Sequence, residues 1–282
     1  MIALEYGCDL NGNLIHISNA RKGLKCGLYC PACKKQLIAK KGDLMQHHFA
    51  HYKAAECKYA FETSIHLLAK EIIAEDGEIF TPELALLPDH WNMYNYILLK
   101  SQYFRIGNII VEPHLGNIRP DLIVYIDSHP LLIEVCVTHK VDADKLKKIK
   151  EHNLSAIEIN LSDVGHGMSK EILKEKIKEE SRIKWLYNKK RNYYYEKLCS
   201  YSITIGDRLN AKIPGFPNIV RRYCPITGRK ASFLMNCHGC NYCVASINDP
   251  HEEFIWCSQP HKIKNMTDLK NAIKRGLRAI DK

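Results

Sequence analysis

The run Arg119-Pro120-Asp121-Leu122-Ile123-Val124-Tyr125-Ile126, followed by Leu131-Leu132-Ile133-Glu134-Val135-Cys136, decides the fold. Both stretches are rich in β-branched and large apolar residues, and Asp127 to Pro130 between them reads as a turn, so the pair is a hairpin. Each strand carries one carboxylate, Asp121 at the head of the first and Glu134 within the second. A paired hairpin of this length brings the two acids to neighbouring positions, where they can share a divalent cation that hydrolyses a phosphodiester. Oxygen ligands of this kind suit Mg²⁺ or Mn²⁺.

Working outward, Asp142 to His152 reads as a helix and Ser155 to Leu161 as a further strand; Glu158 on that strand reads as structural. Upstream, Glu78 to Leu84, Tyr96 to Phe104 and Ile109 to Glu112 are strand-like, and Glu62 to Glu75 has Ile65, Leu68, Ala69, Ile72 and Ile73 at helical spacing before Gly77. An order of helix, several strands, helix, strand predicts a mixed sheet with helices on its faces. On the first helix Glu62, His66 and Lys70 recur every four residues and share one face. If that face meets the hairpin, Glu62 becomes a third carboxylate, His66 a phosphate or water contact, and Lys70 a cation near the scissile phosphate.

Ser169 to Leu198 reads as one long charged helix whose second half turns basic and aromatic. There Lys184, Lys189, Lys190 and Arg191 interleave with Trp185, Tyr187 and Tyr193 to Tyr195, a pattern suited equally to phosphates and bases or to a solvated face with packed rings. Pro214 to Pro217 reads as a linker, and Thr267 to Ile280 as a capped amphipathic helix.

The 12 cysteines are clustered. In a reducing compartment, clustered C-x-x-C pairs point to metal rather than disulfides. Cys30 and Cys33 supply half of a tetrahedral Zn²⁺ site. The other half comes from His47, His48, His51 or Cys57, with His48 or His51 favoured by the His48-Phe49-Ala50-His51 motif, Cys57 competing and Cys26 an outlier. Near the end, Cys224, Cys237, Cys240, Cys243 and Cys257 offer five thiols where four suffice, with His238 and His261 in reserve; Cys224, Cys240, Cys243 and Cys257 are the favoured set. Closed thiolate and imidazole sets make both metals structural.

The net charge of +10, from 41 Lys and Arg against 31 Asp and Glu, favours a phosphate-bearing partner, DNA first with RNA still open. No leader-like start and no run of eighteen apolar residues is present, so a cytoplasmic protein without membrane contact is expected. A homo-oligomer or a partner protein is compatible with the chain. Four regions follow: a zinc-finger-like module at 1–59, an α/β core at 60–165, a basic and aromatic helical segment at 166–213, and a cysteine-rich module with a terminal helix at 214–282.

The carboxylates Asp121 and Glu134, thirteen residues apart in number, with the upstream helical Glu62, resemble the PD-(D/E)xK nuclease superfamily. Cys30-Pro-Ala-Cys33, His48-Phe-Ala-His51 and Glu62-x-Ser64-x-His66 with Lys70 make residues 25 to 161 similar to the competence protein CoiA-like nucleases. The resemblance implies a restriction-endonuclease-like core flanked by zinc modules, a Mg²⁺- or Mn²⁺-dependent nuclease acting in competence, recombination or phage defence. One position departs from the pattern: the superfamily carries Lys, Gln or Glu two residues after the second acid, and this chain has Cys136. A thiol cannot do the work of an ammonium. Either Lys70 supplies the cation from the helix, or the centre is degenerate and the protein is a zinc-dependent nucleic-acid-binding or adaptor protein.

Overall fold

The computed structural model describes residues 4–87, 93–165, 169–206, 220–221, 223–248 and 253–280. They fall into two compact units, one formed by 1–82 and 103–187, the other by 83–102 and 188–282.

The first unit begins with two antiparallel hairpins, β1 (Tyr6–Cys8) with β2 (Leu14–His16), and β3 (Leu37–Lys40) with β4 (His48–His51). They close over a small core of Leu4, Ile17, Leu28, Leu37 and Phe49 that includes the fully buried Cys30. Helix α1 (Ala60–Asp76) follows and stops where predicted, because Gly77 takes the left-handed conformation at φ 65° that a side chain would resist. Next come β5 (Glu78–Thr81) and, in the second unit, β6 (Leu84–Ala85) and β7 (Ile97–Leu99); β8 (Gln102–Arg105) returns to pair with β5. The expected strands 78–84 and 96–104 are thus each broken in two.

The centre of this unit is a five-stranded mixed sheet. Its members are β9 (Asn108–Val111), β10 (Leu122–Ile126), β11 (His129–Cys136), β12 (Ser155–Asn160) and β13 (Ile183–Tyr187), in spatial order β13-β12-β11-β10-β9. The β10–β11 turn is tighter than the sequence suggests: Asp127 and Ser128 sit at φ 45° and 66°, and Ile126 pairs with His129. Two consecutive left-handed residues suit the twist of a two-residue hairpin. The β11–β12 pair is parallel and therefore needs a crossover, which α2 (Ala143–Glu151) provides, with Asp142 capping it through the Lys145 N–H.

Alternation along the strands sends side chains to two cores. Leu122, Val124, Ile133, Val135, Ile157 and Ile159 face α1 and α3 (Lys170–Lys178), whereas Ile123, Leu132 and Ala156 face Ile149 of α2. Helices therefore cover both faces of the sheet.

The long helix expected over 169–198 does not form. It ends at Lys178, β13 intervenes, and α4 (Lys189–Ser200) starts anew with Asn188 as its cap. Ile183 and Trp185 alternate with Lys184 and Leu186, and the edge of β12 rewards that period-two pattern by burying the first pair against the α1 face.

The second unit holds a sheet in the order β15-β14-β17-β16, made of β14 (Ile203–Gly206), β15 (Val220–Arg221), β16 (Cys243–Asn248) and β17 (Glu253–Cys257). Helix α5 (Met266–Lys274) packs Met266, Leu269 and Ala272 into a core with Tyr96, Leu198 and Trp256. It is shorter than the expected 267–280 because Gly276, at φ 66°, unwinds it. The linker read at 214–217 lies outside the described residues. Among the described residues no helix is long and apolar enough to cross a membrane.

Candidate functional site

The β10–β11 register sets Leu122 against Ile133, so one further step brings Asp121 beside Glu134 at the end of the ladder. Asp121 is held from three directions. Its Oδ2 accepts the Val135 N–H at 2.9 Å, Lys70 Nζ lies 2.9 Å from Oδ1, and His66 Nδ1 stands 3.7 Å from the same oxygen. Burial works against its charge, yet His66, Lys70 and the Val135 N–H outweigh burial and keep the carboxyl well below the usual range. The helical spacing of His66 and Lys70 thus does aim both at the hairpin.

Lys70 is 6% exposed and shared with a second acid, Glu112, whose Oε1 lies 2.9 Å away. Burial opposes the ammonium, but Asp121 and Glu112 raise it above its ordinary value. Glu112 also binds Arg119 and, through the Lys70 hydrogen bond, is lowered. Sequence reading missed Glu112, although its place at the end of the strand that pairs with β10 was the available signal.

Glu134 is 3% exposed and faces the α2 side. Its Oε2 accepts from Lys145 Nζ at 2.6 Å, while Oε1 is buried with no hydrogen-bond partner. Burial pushes the carboxyl up to about 7 despite Lys145, with Asp121 adding to the rise. Lys145 is the second residue that the sequence hid: it lies in the capped first turn of α2, and only the crossover brings that turn over β11. Beside Glu134 in the parallel ladder sits Glu158, 1% exposed, which accepts the Val141 N–H at 2.8 Å and meets Lys184 Nζ at 2.7 Å. Cys136, on the same face, is buried, and burial raises its thiol.

Glu62 does not join the two acids. It takes the hydroxyl of Thr138 instead, and among the described residues Asp121, Glu134 and Glu62 form no three-ligand group. Lys184, expected on a nucleic-acid-binding helix, is a strand residue engaged by Glu158 in the first unit, whereas Lys189, Lys190 and Arg191 open α4 in the second. Tyr194 and Tyr195 pack against the core of that unit, and Tyr193 is exposed.

Among the described residues one metal-ligand cluster stands out: the thiol sulfurs of Cys30, Cys33 and Cys57 all lie within 4.8 Å of one another. Sulfurs on a tetrahedral Zn²⁺ stand about 3.8 Å apart, so the set fits a metal such as zinc. Cys33 Sγ is also 3.3 Å from His51 Nε2. His48 points elsewhere, its Nδ1 2.9 Å from the Gln46 carbonyl, because residues three apart on β4 emerge on opposite faces. That parity separates two histidines which the motif alone treated alike. Cys57, which the sequence sets in competition with the histidines, is a full member of the cluster.

The second cysteine group is gathered more loosely. Cys243 and Cys257 are cross-strand partners, burial pushes the Cys257 thiol up to about 12 with Cys240 and Cys224 adding, and all five line one small core. Cys224 Sγ accepts the Ile226 N–H at 3.4 Å. Cys237 Sγ contacts Asn236 Oδ1, and the His261 ring packs on Tyr201. Among the described residues these thiols form no group of three mutually adjacent ligand atoms.

No curated protein and no solved structure gives a significant match to the chain. A family model described as Competence protein CoiA, N-terminal domain, matches residues 16–60, which contain Cys30, Cys33, His51 and Cys57 and end on the first residue of α1.

Proposed function

We propose that the first unit is a metal-dependent nuclease of the PD-(D/E)xK kind, acting on DNA in competence, recombination or defence against foreign DNA, with its cysteine module held by zinc. The observation that carries this reading is the half-buried Asp121 and the buried Glu134, one step beyond the Leu122–Ile133 pair of β10 and β11, with one oxygen of Glu134 left without a partner. A buried carboxylate oxygen of that kind fits a divalent cation. Bound there, Mg²⁺ or Mn²⁺ supplies Lewis-acid polarisation of a phosphoryl oxygen and a water of lowered pKa.

The chain's own residues do the rest. Lys70 and the Val135 N–H hold Asp121 ionised and oriented, and His66 flanks the same oxygen. Lys145, at 2.6 Å from Glu134, stands where Cys136 provides no charge and takes the electrostatic role of the missing lysine toward the scissile phosphate. The match over 16–60 supports the competence setting.

The test is cleavage of linear and circular, single- and double-stranded DNA, with RNA alongside, in Mg²⁺, Mn²⁺ or EDTA. Wild type is expected to cut DNA, EDTA to abolish cutting, and Asp121→Ala to be inactive while folded. Lys145→Ala should slow the reaction by about a hundredfold, the size seen on losing one electrostatic stabiliser. Binding without cleavage in every condition would instead favour a zinc-dependent binding or adaptor protein, the reading that the buried, neutral Cys136 supports.

A further inference from the structure

The N-terminal module concentrates charge that the protein does not neutralise. Residues 16–60 hold nine Lys and Arg against two acids, Asp43 and Glu56, a net +7 of the chain's +10. Around the sheet, cations are matched: Lys70, Lys145, Lys170, Lys174, Arg182 and Lys184 each meet a carboxylate. Among the described residues none of the nine module cations is in an ion pair.

Backbone register gathers four of them. Gly23 and Ala39 exchange both backbone hydrogen bonds, at 3.0 and 3.2 Å, in an antiparallel bridge. Lys22 and Lys40 are the chain neighbours of this bridge, and Arg21 and Lys41 follow one residue further on each side. Lys41 turns inward, its ammonium 2.9 Å from the carbonyls of both Ser18 and Ala20, which fastens the turn before Arg21 to the β3–β4 hairpin. Arg21, Lys22 and Lys40 stay exposed. Immediately beyond lies the hairpin tip, where Leu44 is 99% and Met45 71% exposed. Two large apolar side chains in solvent beside an unneutralised basic cluster form the surface of a groove-entering wedge, in which cations grip phosphates while Leu and Met lean on a base step.

We propose that this face docks the protein on duplex DNA, with Arg21, Lys22 and Lys40 on phosphates and Leu44 and Met45 in the minor groove. The assignment is independent of cleavage. It is tested by anisotropy of a fluorescent DNA duplex with the full chain, without added divalent cation, across a salt series. The triple variant Arg21→Ala, Lys22→Ala, Lys40→Ala should weaken binding at least about tenfold and flatten the slope of log affinity against log salt by about 3, near 0.9 for each phosphate no longer neutralised. Leu44→Ser with Met45→Ser should weaken binding several-fold at roughly unchanged slope, since it removes no charge. Asp43→Lys, on the same hairpin, should tighten binding and steepen the slope. Zinc content equal to wild type marks the variants as folded; if the loss variants fail that check, the gain in Asp43→Lys decides. Wild-type affinity and slope in the triple variant, or no gain in Asp43→Lys, would overturn the proposal, as would preference for an RNA duplex of the same sequence.

Discussion

Lys70 sits between Asp121 and Glu112 with almost no solvent contact, and the reason it stays charged there is the company it keeps. Removing one partner of a buried pair strands the other, which costs about 3 kcal/mol or more, whereas removing both costs far less. Lys70→Met alone should therefore lower unfolding stability by about that amount, and the Lys70→Met, Asp121→Asn double variant should recover much of it in urea titrations. Additive losses would mean that the pair is not coupled. At the cysteine cluster, His51→Ala should lower zinc affinity by at least about tenfold in a chelator competition, since even outer-shell partners of a metal are worth about that much. His48→Ala should leave it unchanged, because that ring bonds the Gln46 carbonyl.

At the scale of elements, α1 is the piece that connects the two sites. Cys57 of the cysteine cluster accepts the N–H of Ala60 through its carbonyl at 3.1 Å, so the cluster anchors the start of the helix that carries His66 and Lys70. The far end is fixed to α3 by Asp76, whose two oxygens lie 2.6 Å from Lys174 Nζ and 2.5 Å from Lys178 Nζ. Burial opposes the ionised carboxyl, but the two lysines win and its pKa is lowered from 3.8. An acid with a depressed folded pKa contributes stability above its unfolded pKa and loses it as pH falls through the folded one. The lysines are a third or more exposed, so solvent screening limits the whole clamp to about 1 kcal/mol. Asp76→Asn should thus be less stable than wild type by up to that amount at pH 7, and the difference should close below pH 3.8, as followed by thermal or urea unfolding. A gap that persists in acid would assign the loss to packing rather than to charge.

At the scale of the whole molecule, the second unit draws its core from distant stretches: Leu86 and Tyr96 pack with Leu198, Trp256 and Leu269, and the Tyr96 hydroxyl donates to the Ile263 carbonyl at 3.3 Å. Leu269 is fully buried, so Leu269→Ala should cost about 2–5 kcal/mol. Hydrogen exchange should accelerate together in the amides around Leu86 and Tyr96 and in α5, although some 170 residues of sequence separate them. Faster exchange in α5 alone would show that 83–102 is not part of this core.

The sequence by itself determined the elements whose signals are local. The two acid-bearing strands, the helix ending at Gly77, the helix capped by Asp142 and the strand after it were legible because apolar period, caps and turn residues all pointed the same way. So was the hairpin that ends with Leu122 against Ile133, one step short of the two acids, since hairpin register is set by a few neighbouring residues. The strand at 183–187 was not legible: IKWLY between charged helical stretches is short, and only the open edge of β12 selects its extended form. Nor were Glu112 and Lys145, whose chemistry depends on crossovers and adjacent strands rather than on spacing. Tertiary structure likewise decided that Cys57 joins Cys30 and Cys33, that His51 and not His48 faces them, and that Glu62 bonds Thr138 rather than a shared ligand point. Periodicity specifies which face a residue occupies. What that face meets depends on how distant segments pack, and that information is not carried by any one stretch of chain.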